Sequence, residues 1–289
     1  MSEIDQTNTT PQTPLKDGSL ALALGGGAAK GLAHIPVLEA LDDLGIKPRK
    51  IAGTSMGAII GACYASGMSG RDLRAFAIEL FEERLEFIRR VLTEAESWAS
   101  IFSISSPAII SPETLFSAVL PDTLPETFEE LEIALCVVAT DFHAQSQVVI
   151  DKGPLMPAVA ASSALPVLLT PVQIDNRVLI DGGFVNPTAF DIIRGAAQFT
   201  IAVDVTGKQM QPDTAVPGSL DTWIGASQIV LHSLVEEKLK HETPDLLLRP
   251  EISAFHSFDF YKIEEILAAS EPIKDDVKRG IEQLLARAR

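Results

Sequence analysis

One serine of this chain stands at a turn that can expose a nucleophile. Ser55 is the centre of Gly53-Thr54-Ser55-Met56-Gly57, which lies between two short apolar runs. A strand that turns sharply into a helix needs residues without side chains beside the turn, so Gly53 and Gly57 would let a strained serine project its hydroxyl. The pattern predicts a serine that attacks acyl carbonyls. A turn that merely packs small residues is the alternative.

A glycine-rich loop precedes that serine by one predicted strand and helix. The sequence Gly25-Gly26-Gly27-Ala28-Ala29-Lys30-Gly31 lies between a strand and a helix, so its backbone N–H groups can converge on an anion. It is not a P-loop, because Gly31 follows Lys30 where Ser or Thr would hold magnesium. The anion is then a phosphate, as in a nucleotide-binding α/β protein, or the oxyanion of a tetrahedral intermediate. A serine nucleophile nearby favours the oxyanion.

A carboxylate ends a third segment, Val178-Leu179-Ile180-Asp181-Gly182-Gly183. The two glycines would let this strand end approach another one closely, so Asp181 could accept the proton of Ser55. Because the ordinary pKa of an aspartate is about 3.9, burial would have to raise it for this role. A hairpin or a helix-capping turn is the alternative interpretation.

Alternating strands and helices must position these segments. Leu20–Leu24 reads as a strand, 29–44 as a helix, 46–52 as a strand and 56–66 as a second helix. We therefore predict an α/β fold, a three-layer α/β/α sandwich with a mostly parallel central sheet. Neighbouring parallel strands bring their carboxyl ends to one edge, where the glycine loop and the serine turn would meet. Further strands are predicted at 133–140, 147–150, 178–180, 199–205 and 245–248, and further helices at 220–240 and 263–270.

Domain organisation is predicted from length and local composition. Residues 19–289 are long enough and apolar enough for one catalytic domain, whereas residues 1–18 are polar and are predicted to be a disordered arm. Residues 71–130 break the strand–helix alternation, and Trp98 to Ile110 is dense in apolar side chains. An apolar loop of this kind is where an acyl-chain pocket or a lid would lie, so we predict an apolar lid or pocket region at 71–130.

Charge and composition restrict the partners. The formal net charge of −16 excludes a nucleic-acid partner and weakens attraction to anionic membranes. No signal peptide is visible and no apolar run reaches the roughly 20 residues of a membrane span, which predicts a cytoplasmic protein. Cys63 and Cys136 are expected to be buried thiols rather than a disulfide. No spacing indicates a metal site, and the sequence makes no prediction of oligomeric state.

Taken together, segments 25–31, 53–57 and 181–183 resemble the motifs of the patatin-like phospholipase family, in the same order and at comparable intervals. The resemblance covers residues 19 to 270 and is closest to small bacterial members. Asn186, after the Asp-Gly-Gly segment, also matches a recurrent family residue. Further similar segments are Lys30-Gly31-Leu32-Ala33-His34-Ile35-Pro36-Val37-Leu38, Val138-Ala139-Thr140-Asp141, Ala161-Ser162-Ser163-Ala164-Leu165-Pro166, and Asp259-Phe260-Tyr261 followed by Glu264-Glu265-Ile266.

The resemblance implies a serine lipid acyl hydrolase that uses a Ser-Asp dyad, an acyl-serine intermediate and no cofactor. Ser55 would be the nucleophile and Asp181 the base, and the amides of Gly26, Gly27 and Ala28 would form the oxyanion hole. Ala28 replaces a family glycine, which is tolerable if its φ is negative. The substrate would be an acyl-ester lipid, with transient contact at a membrane surface left open. Motif support would come from Gly25, Lys30, Gly31, Gly53, Gly57, Gly182 and Gly183.

Two other readings of the same residues stay open. His232, His241 and His256 follow Asp181, which is the Ser, Asp, His order of the α/β-hydrolases, although their nucleophile normally follows several strands rather than two. A non-catalytic member that binds lipid or protein through the same pocket is the other reading.

Overall fold

A mostly parallel sheet forms the centre of the protein. The computed structural model describes residues 19–83, 111–207 and 216–287, so the predicted arm at 1–18 and the apolar stretch Trp98 to Ile110 lie outside the described residues. Within those ranges, the strands pair into one sheet. They are β1 (Leu20–Leu24), β2 (Lys50–Thr54), β3 (Ala134–Asp141), β4 (Ser146–Ile150), β5 (Val172–Ile174), β6 (Arg177–Asp181), β7 (Phe199–Val203) and β8 (Leu246–Leu248).

The strand order is β5-β6-β3-β2-β1-β7-β8, with β4 paired to β3 outside this path. Neighbours from β3 through β2, β1 and β7 to β8 run parallel, whereas β4, β5 and β6 pair antiparallel. All five residues of β1 are buried because helices and loops cover both faces of the sheet, as the continuous apolar run of β1 predicts.

The register of β3 brings two strand ends together. β2 pairs with the first part of β3, ending at Thr54 opposite Val138, and β6 ends at Asp181 opposite the next residue, Ala139. β4 pairs with 137–141 of β3, so it occupies the other edge. β2 and β6 therefore run towards each other along one edge of β3, and their carboxyl ends meet.

Helices cover the two faces unequally. Leu20, Leu22 and Leu24 point into a large core built mainly with the helices, whereas Ala21 and Ala23 point into a small core closed by residues 185–197 and the end of α6. The predicted α/β class with a mostly parallel sheet is confirmed, with one thick and one thin outer layer. The helices are α1 (His34–Asp43), α2 (Met56–Ala65), α3 (Gly70–Glu83), α4 (Pro112–Val119), α5 (Leu155–Ser162), α6 (Ser219–His241), α7 (Ile263–Ser270) and α8 (Ile273–Arg287).

The described parts of region 71–130 belong to the large core. Leu73 and Ala77 of α3 and Phe116 of α4 are buried there. Cys63 and Cys136 are free and buried, as predicted. No described helix combines the length and the apolar character needed to cross a bilayer.

Candidate active site

The serine turn has the geometry of a strained strand-to-helix connection. Ser55 has φ +53° and ψ −121°, a backbone conformation that residues other than glycine rarely adopt. A Cβ at Gly53 would lie 2.5 Å from Cα of Ala58, and a Cβ at Gly57 would lie 2.0 Å from the carbonyl oxygen of Leu24. Both glycines are therefore required by contact, as the motif predicts. Ser55 is the N-cap residue of α2, directly before Met56, and it lines a pocket.

Asp181 lies directly beside the serine hydroxyl. Ser55 Oγ donates a hydrogen bond to Asp181 Oδ2 at 2.7 Å, and the amide of Gly183 donates to Asp181 Oδ1 at 2.7 Å. Burial raises the pKa of Asp181 to about 6, against the opposing effect of those two hydrogen bonds. A Cβ at Gly182 would lie 2.0 Å from the carbonyl oxygen of Val138, so the close approach of β6 to β3 needs that glycine.

A second serine holds the backbone of the first. The amide of Ser55 donates to Ser162 Oγ at 3.0 Å, and that hydroxyl donates onward to the carbonyl of Val138 at 2.6 Å. Ser162 is fully buried at the end of α5. The Ser55 amide is thereby satisfied in its strained turn. Sequence reasoning gave Ser162 no role, although the family resemblance had placed it in the segment 161–166.

The glycine loop supplies two uncommitted amides rather than three. The amide of Gly26 donates to the carbonyl of Pro187 at 2.8 Å, so Gly26 is removed from the predicted donors. Among the described residues, no acceptor receives the amides of Gly27 or Ala28, and both residues line the pocket of Ser55. The condition stated for Ala28, a negative φ, is not met, because its φ is +48°. That left-handed conformation costs an alanine about 1–2 kcal/mol.

Other motif residues fix the loop from outside the pocket. The ammonium of Lys30 donates to the carbonyl of Gly207 at 3.4 Å, and a Cβ at Gly31 would lie 2.4 Å from Cγ of Met56. Gly25 is fixed at both ends: its amide donates to Val203, and its carbonyl accepts from Nε2 of the buried His34 at 2.8 Å. Burial lowers the pKa of His34 to about 4, so the ring is neutral at pH 7 and carries its proton on Nε2.

The pocket around Ser55 has a mainly apolar wall. Much of this wall comes from α6, through Trp223, Ile224 and Leu231. No described residue of 71–130 lines it, and the lid or pocket predicted for that region stays a prediction. The remaining lining residues are Gly27, Ala28, Leu165, Asp181, Phe184, Ser227, Gln228, Ser257 and Phe258.

The histidines of the alternative triad make no hydrogen bond to the serine or the aspartate in the part of the chain that the structure describes. The ring of His241 faces Glu237 and that of His256 lies 3.5 Å from Asp259, while neither ring nitrogen of His232 has a hydrogen-bond partner among the described residues. Within the described ranges, no group of three or more His, Cys, Asp or Glu side chains could hold a metal ion.

Fold and site together define a mostly parallel α/β protein with a serine and an aspartate hydrogen-bonded at converging strand ends. The family model described as patatin-like phospholipase matches residues 22–193, more than half of the chain. The chain belongs to the patatin-like phospholipase family.

Named relatives agree with that assignment. The chain is 37% identical over 207 residues to an uncharacterised NTE family protein of Mycobacterium tuberculosis, covering 71% of this chain and 54% of the relative. It is 30% identical over 278 residues to human patatin-like phospholipase domain-containing protein 6, covering 87% of this chain and 20% of the relative. The chain therefore spans about half of the first relative and a fifth of the second.

Solved structures with a related arrangement are distant. VipD from Legionella pneumophila aligns with a TM-score of 0.43 and 14% identity over 91% of this chain and 67% of its own. ExoU of Pseudomonas aeruginosa, in its complex with SpcU, aligns with a TM-score of 0.46 and 15% identity over 95% of this chain and 52% of its own.

Proposed function

We propose that this chain is a serine acyl hydrolase of lipid esters, with Ser55 as nucleophile and Asp181 as base. The observation that carries the proposal is the 2.7 Å hydrogen bond from Ser55 Oγ to Asp181, inside a pocket that also holds two uncommitted amides. A buried carboxylate with a pKa raised to about 6 is a stronger base than an exposed one and is still ionised at pH 7.

The reaction begins when Asp181 takes the hydroxyl proton of Ser55 as Oγ attacks the ester carbonyl carbon. The amides of Gly27 and Ala28 stabilise the negative oxygen of the tetrahedral intermediate. Collapse breaks the bond to the alcohol, which leaves with the proton held by Asp181, and an acyl-Ser55 ester remains. Water then attacks that ester with Asp181 again as base, which releases the fatty acid and restores Ser55.

The pocket wall supports a lipid acyl chain as the group that is bound. Trp223, Ile224 and Phe258 present apolar surface within the same cavity as Ser55, and sites that bind apolar ligands are lined mainly by such side chains. Glycerophospholipids and lysophospholipids are the proposed substrates. They would reach the pocket through transient contact with a lipid surface, since Ile229 and Val230 are exposed on α6, the helix that lines the pocket.

Covalent labelling tests the proposal. A fluorophosphonate probe should label the wild-type protein at Ser55, and hydrolysis should be measured beside it with acyl esters of short and long chains. Ser55→Ala should lose both signals, and Asp181→Asn should lose most of both. Ser163→Ala is a control serine variant, because Ser163 is buried and its hydroxyl has no hydrogen-bond partner among the described residues.

The binding-module alternative predicts a different result. A folded wild-type protein that the probe does not label and that hydrolyses no ester would overturn the hydrolase proposal. Binding of a non-hydrolysable lipid analogue by that protein would then favour a regulatory member of the family.

A further inference from the structure

A partly buried polar cluster lies behind the site, where the sequence left Asn186 without a role. Lys238 of α6 donates three hydrogen bonds into the turn after Asp181: to Asn186 Oδ1, to Asp191 Oδ1 at 2.6 Å and to the carbonyl of Thr188 at 3.3 Å. Asn186 is 2% exposed, and the Lys238 side chain is 20% exposed. All three protons of the ammonium therefore have acceptors.

The cluster is closed on its other side. Nδ2 of Asn186 donates to Gln147 Oε1 at 2.7 Å and to Asp191 Oδ1 at 3.0 Å, so both of its protons are also used. The Lys238 ammonium lies 5.1 Å from the ring centre of Phe190. Side chains that satisfy one another in this way favour one arrangement, because a displacement would leave the buried Asn186 amide or the partly buried Lys238 ammonium without its partners.

The turn that this network holds touches both halves of the site. The carbonyl of Asn186 accepts from Thr54 Oγ1 at 3.0 Å, and Thr54 is the residue before the candidate nucleophile. The carbonyl of Pro187 accepts from the amide of Gly26, the residue before the first candidate oxyanion donor. Residues 186–188 therefore form a brace between the serine turn and the glycine loop.

We propose that Lys238 is a positioning residue: through Asn186 and Asp191 it fixes the brace 186–188, and the brace sets the Ser55 hydroxyl relative to the amides of Gly27 and Ala28. This inference rests on the proposed function for its effect on catalysis. The two ends of α6 then have different roles. Residues 223–231 line the pocket, and Lys238 near the C-terminal end of the helix holds the brace.

Kinetics on a short-chain ester test the inference. Lys238→Met keeps the hydrocarbon stem and removes the ammonium, so kcat should fall about 10- to 100-fold through misplacement of the reacting groups, while KM stays within about twofold. Lys240→Met is the matched control, because Lys240 is exposed on the same helix and pairs only with Glu237 among the described residues. Its kcat should equal that of the wild type.

A second control separates positioning from loss of stability. Val277→Ala removes buried volume in α8, away from the site, and should lower the melting temperature without changing kcat. If Lys238→Met lowers kcat no more than a variant of equal melting temperature, the inference is overturned. Should Lys238→Met fail to fold, Lys238→Gln replaces it in the same comparison.

Amide hydrogen exchange gives a readout that does not need catalysis. In Lys238→Met, peptides covering residues 20–34 and 50–58 should exchange faster than in Lys240→Met, because the Gly26 and Thr54 contacts to the brace loosen. If the wild type hydrolyses no ester, the proposed function fails and this measurement alone decides the positioning role. Unchanged exchange in both peptides overturns it.

Discussion

The turn at Ser55 and the turn at Asp181 both place a polar side chain at a strand end, but they are held by different kinds of contact. The backbone carbonyl of Ser55 accepts hydrogen bonds from the amides of Ala58 and Ile59. The closely packed glycines, Gly53 and Gly57, lie two residues away on each side. Asp181 instead donates its amide to Ala164, and its carbonyl accepts from Thr140 Oγ1 at 2.8 Å. The backbone of Ser55 is held by its own turn together with one distant partner, Ser162, whereas the backbone contacts of Asp181 come from residues distant in the chain.

The sharpest test of this comparison removes the charge of the base but not its shape. Asp181→Asn should lower kcat/KM by about 10²–10⁴-fold, because an amide cannot take the serine proton. Its fold should persist, since Oδ1 can still accept from the Gly183 amide. A variant with wild-type kcat/KM would show that Asp181 is not the base.

The same substitution should stabilise the protein above pH 6. A carboxyl whose pKa is about 6 in the folded state, against 3.8 ordinarily, binds its proton more tightly when folded. Its stabilising contribution is complete below pH 4 and is lost as the pH rises through 6, so Asp181→Asn should gain up to about 3 kcal/mol at pH 8. Thermal unfolding at pH 4 and pH 8 measures this, and an equal effect at both values contradicts it.

The next test acts on the local turn. Gly57→Ala places a Cβ 2.0 Å from the Leu24 carbonyl, so it should destabilise the protein by about 3 kcal/mol or more and displace Ser55. Gly61→Ala in the same helix meets only side chains, at 3.3 Å from Ile51 Cγ2 and 3.4 Å from Leu135 Cδ1. Its stability should change by less than about 1 kcal/mol. Chemical denaturation of both variants decides whether the turn needs its glycine.

A smaller loss of stability and activity is expected at Ser162, a distant residue that contacts the backbone of the serine turn. Ser162→Ala leaves the Ser55 amide without its acceptor, which should cost about 1–3 kcal/mol of unfolding free energy. We also expect kcat to fall about tenfold as the strained turn relaxes. Ser163→Ala, in the neighbouring buried position, should change neither quantity appreciably. Equal losses in the two variants would mean that Ser162 acts only by packing.

The mildest test changes only the pH, and it measures kcat/KM of the wild-type protein as Asp181 ionises. Because Asp181 must be ionised to accept a proton, log(kcat/KM) should rise with unit slope up to a pH of about 6 and then level off. His34 stays neutral across this range, since burial lowers its pKa to about 4. A profile that levels off near pH 4 would mean that Asp181 has an ordinary pKa.

Much of the fold follows from local patterns. The apolar run Leu20–Leu24, the glycine turns and the helical spacing at 220–240 and 263–270 each form the predicted element. Several elements escaped prediction, among them α4 and α8, and for two others the reason is recognisable. β5 has three residues, and α5 contains Pro157, which is tolerated because it lies in the first turn of that helix.

The parts of the candidate site that were missed depend on distant contacts. The uncharged stretch 222–235 of α6 was a visible signal for a pocket wall, but its helical spacing alone looks like that of any buried helix. Nothing in the local sequence shows that the Gly26 amide is committed to Pro187, or that Ala28 adopts a positive φ. Both features result from the packing of the glycine loop against residues 186–188 and 205.

The sequence by itself indicated the serine turn, because Gly53 and Gly57 leave room for that geometry within five residues. It also determined the alternation that builds a parallel sheet, through the period of its apolar residues. Tertiary structure alone decided that β6 runs antiparallel to β3 and meets β2 end to end, which places Asp181 at 2.7 Å from Ser55 Oγ. That distance depends on strand register between residues 126 positions apart, and such register arises from the packing of the whole sheet.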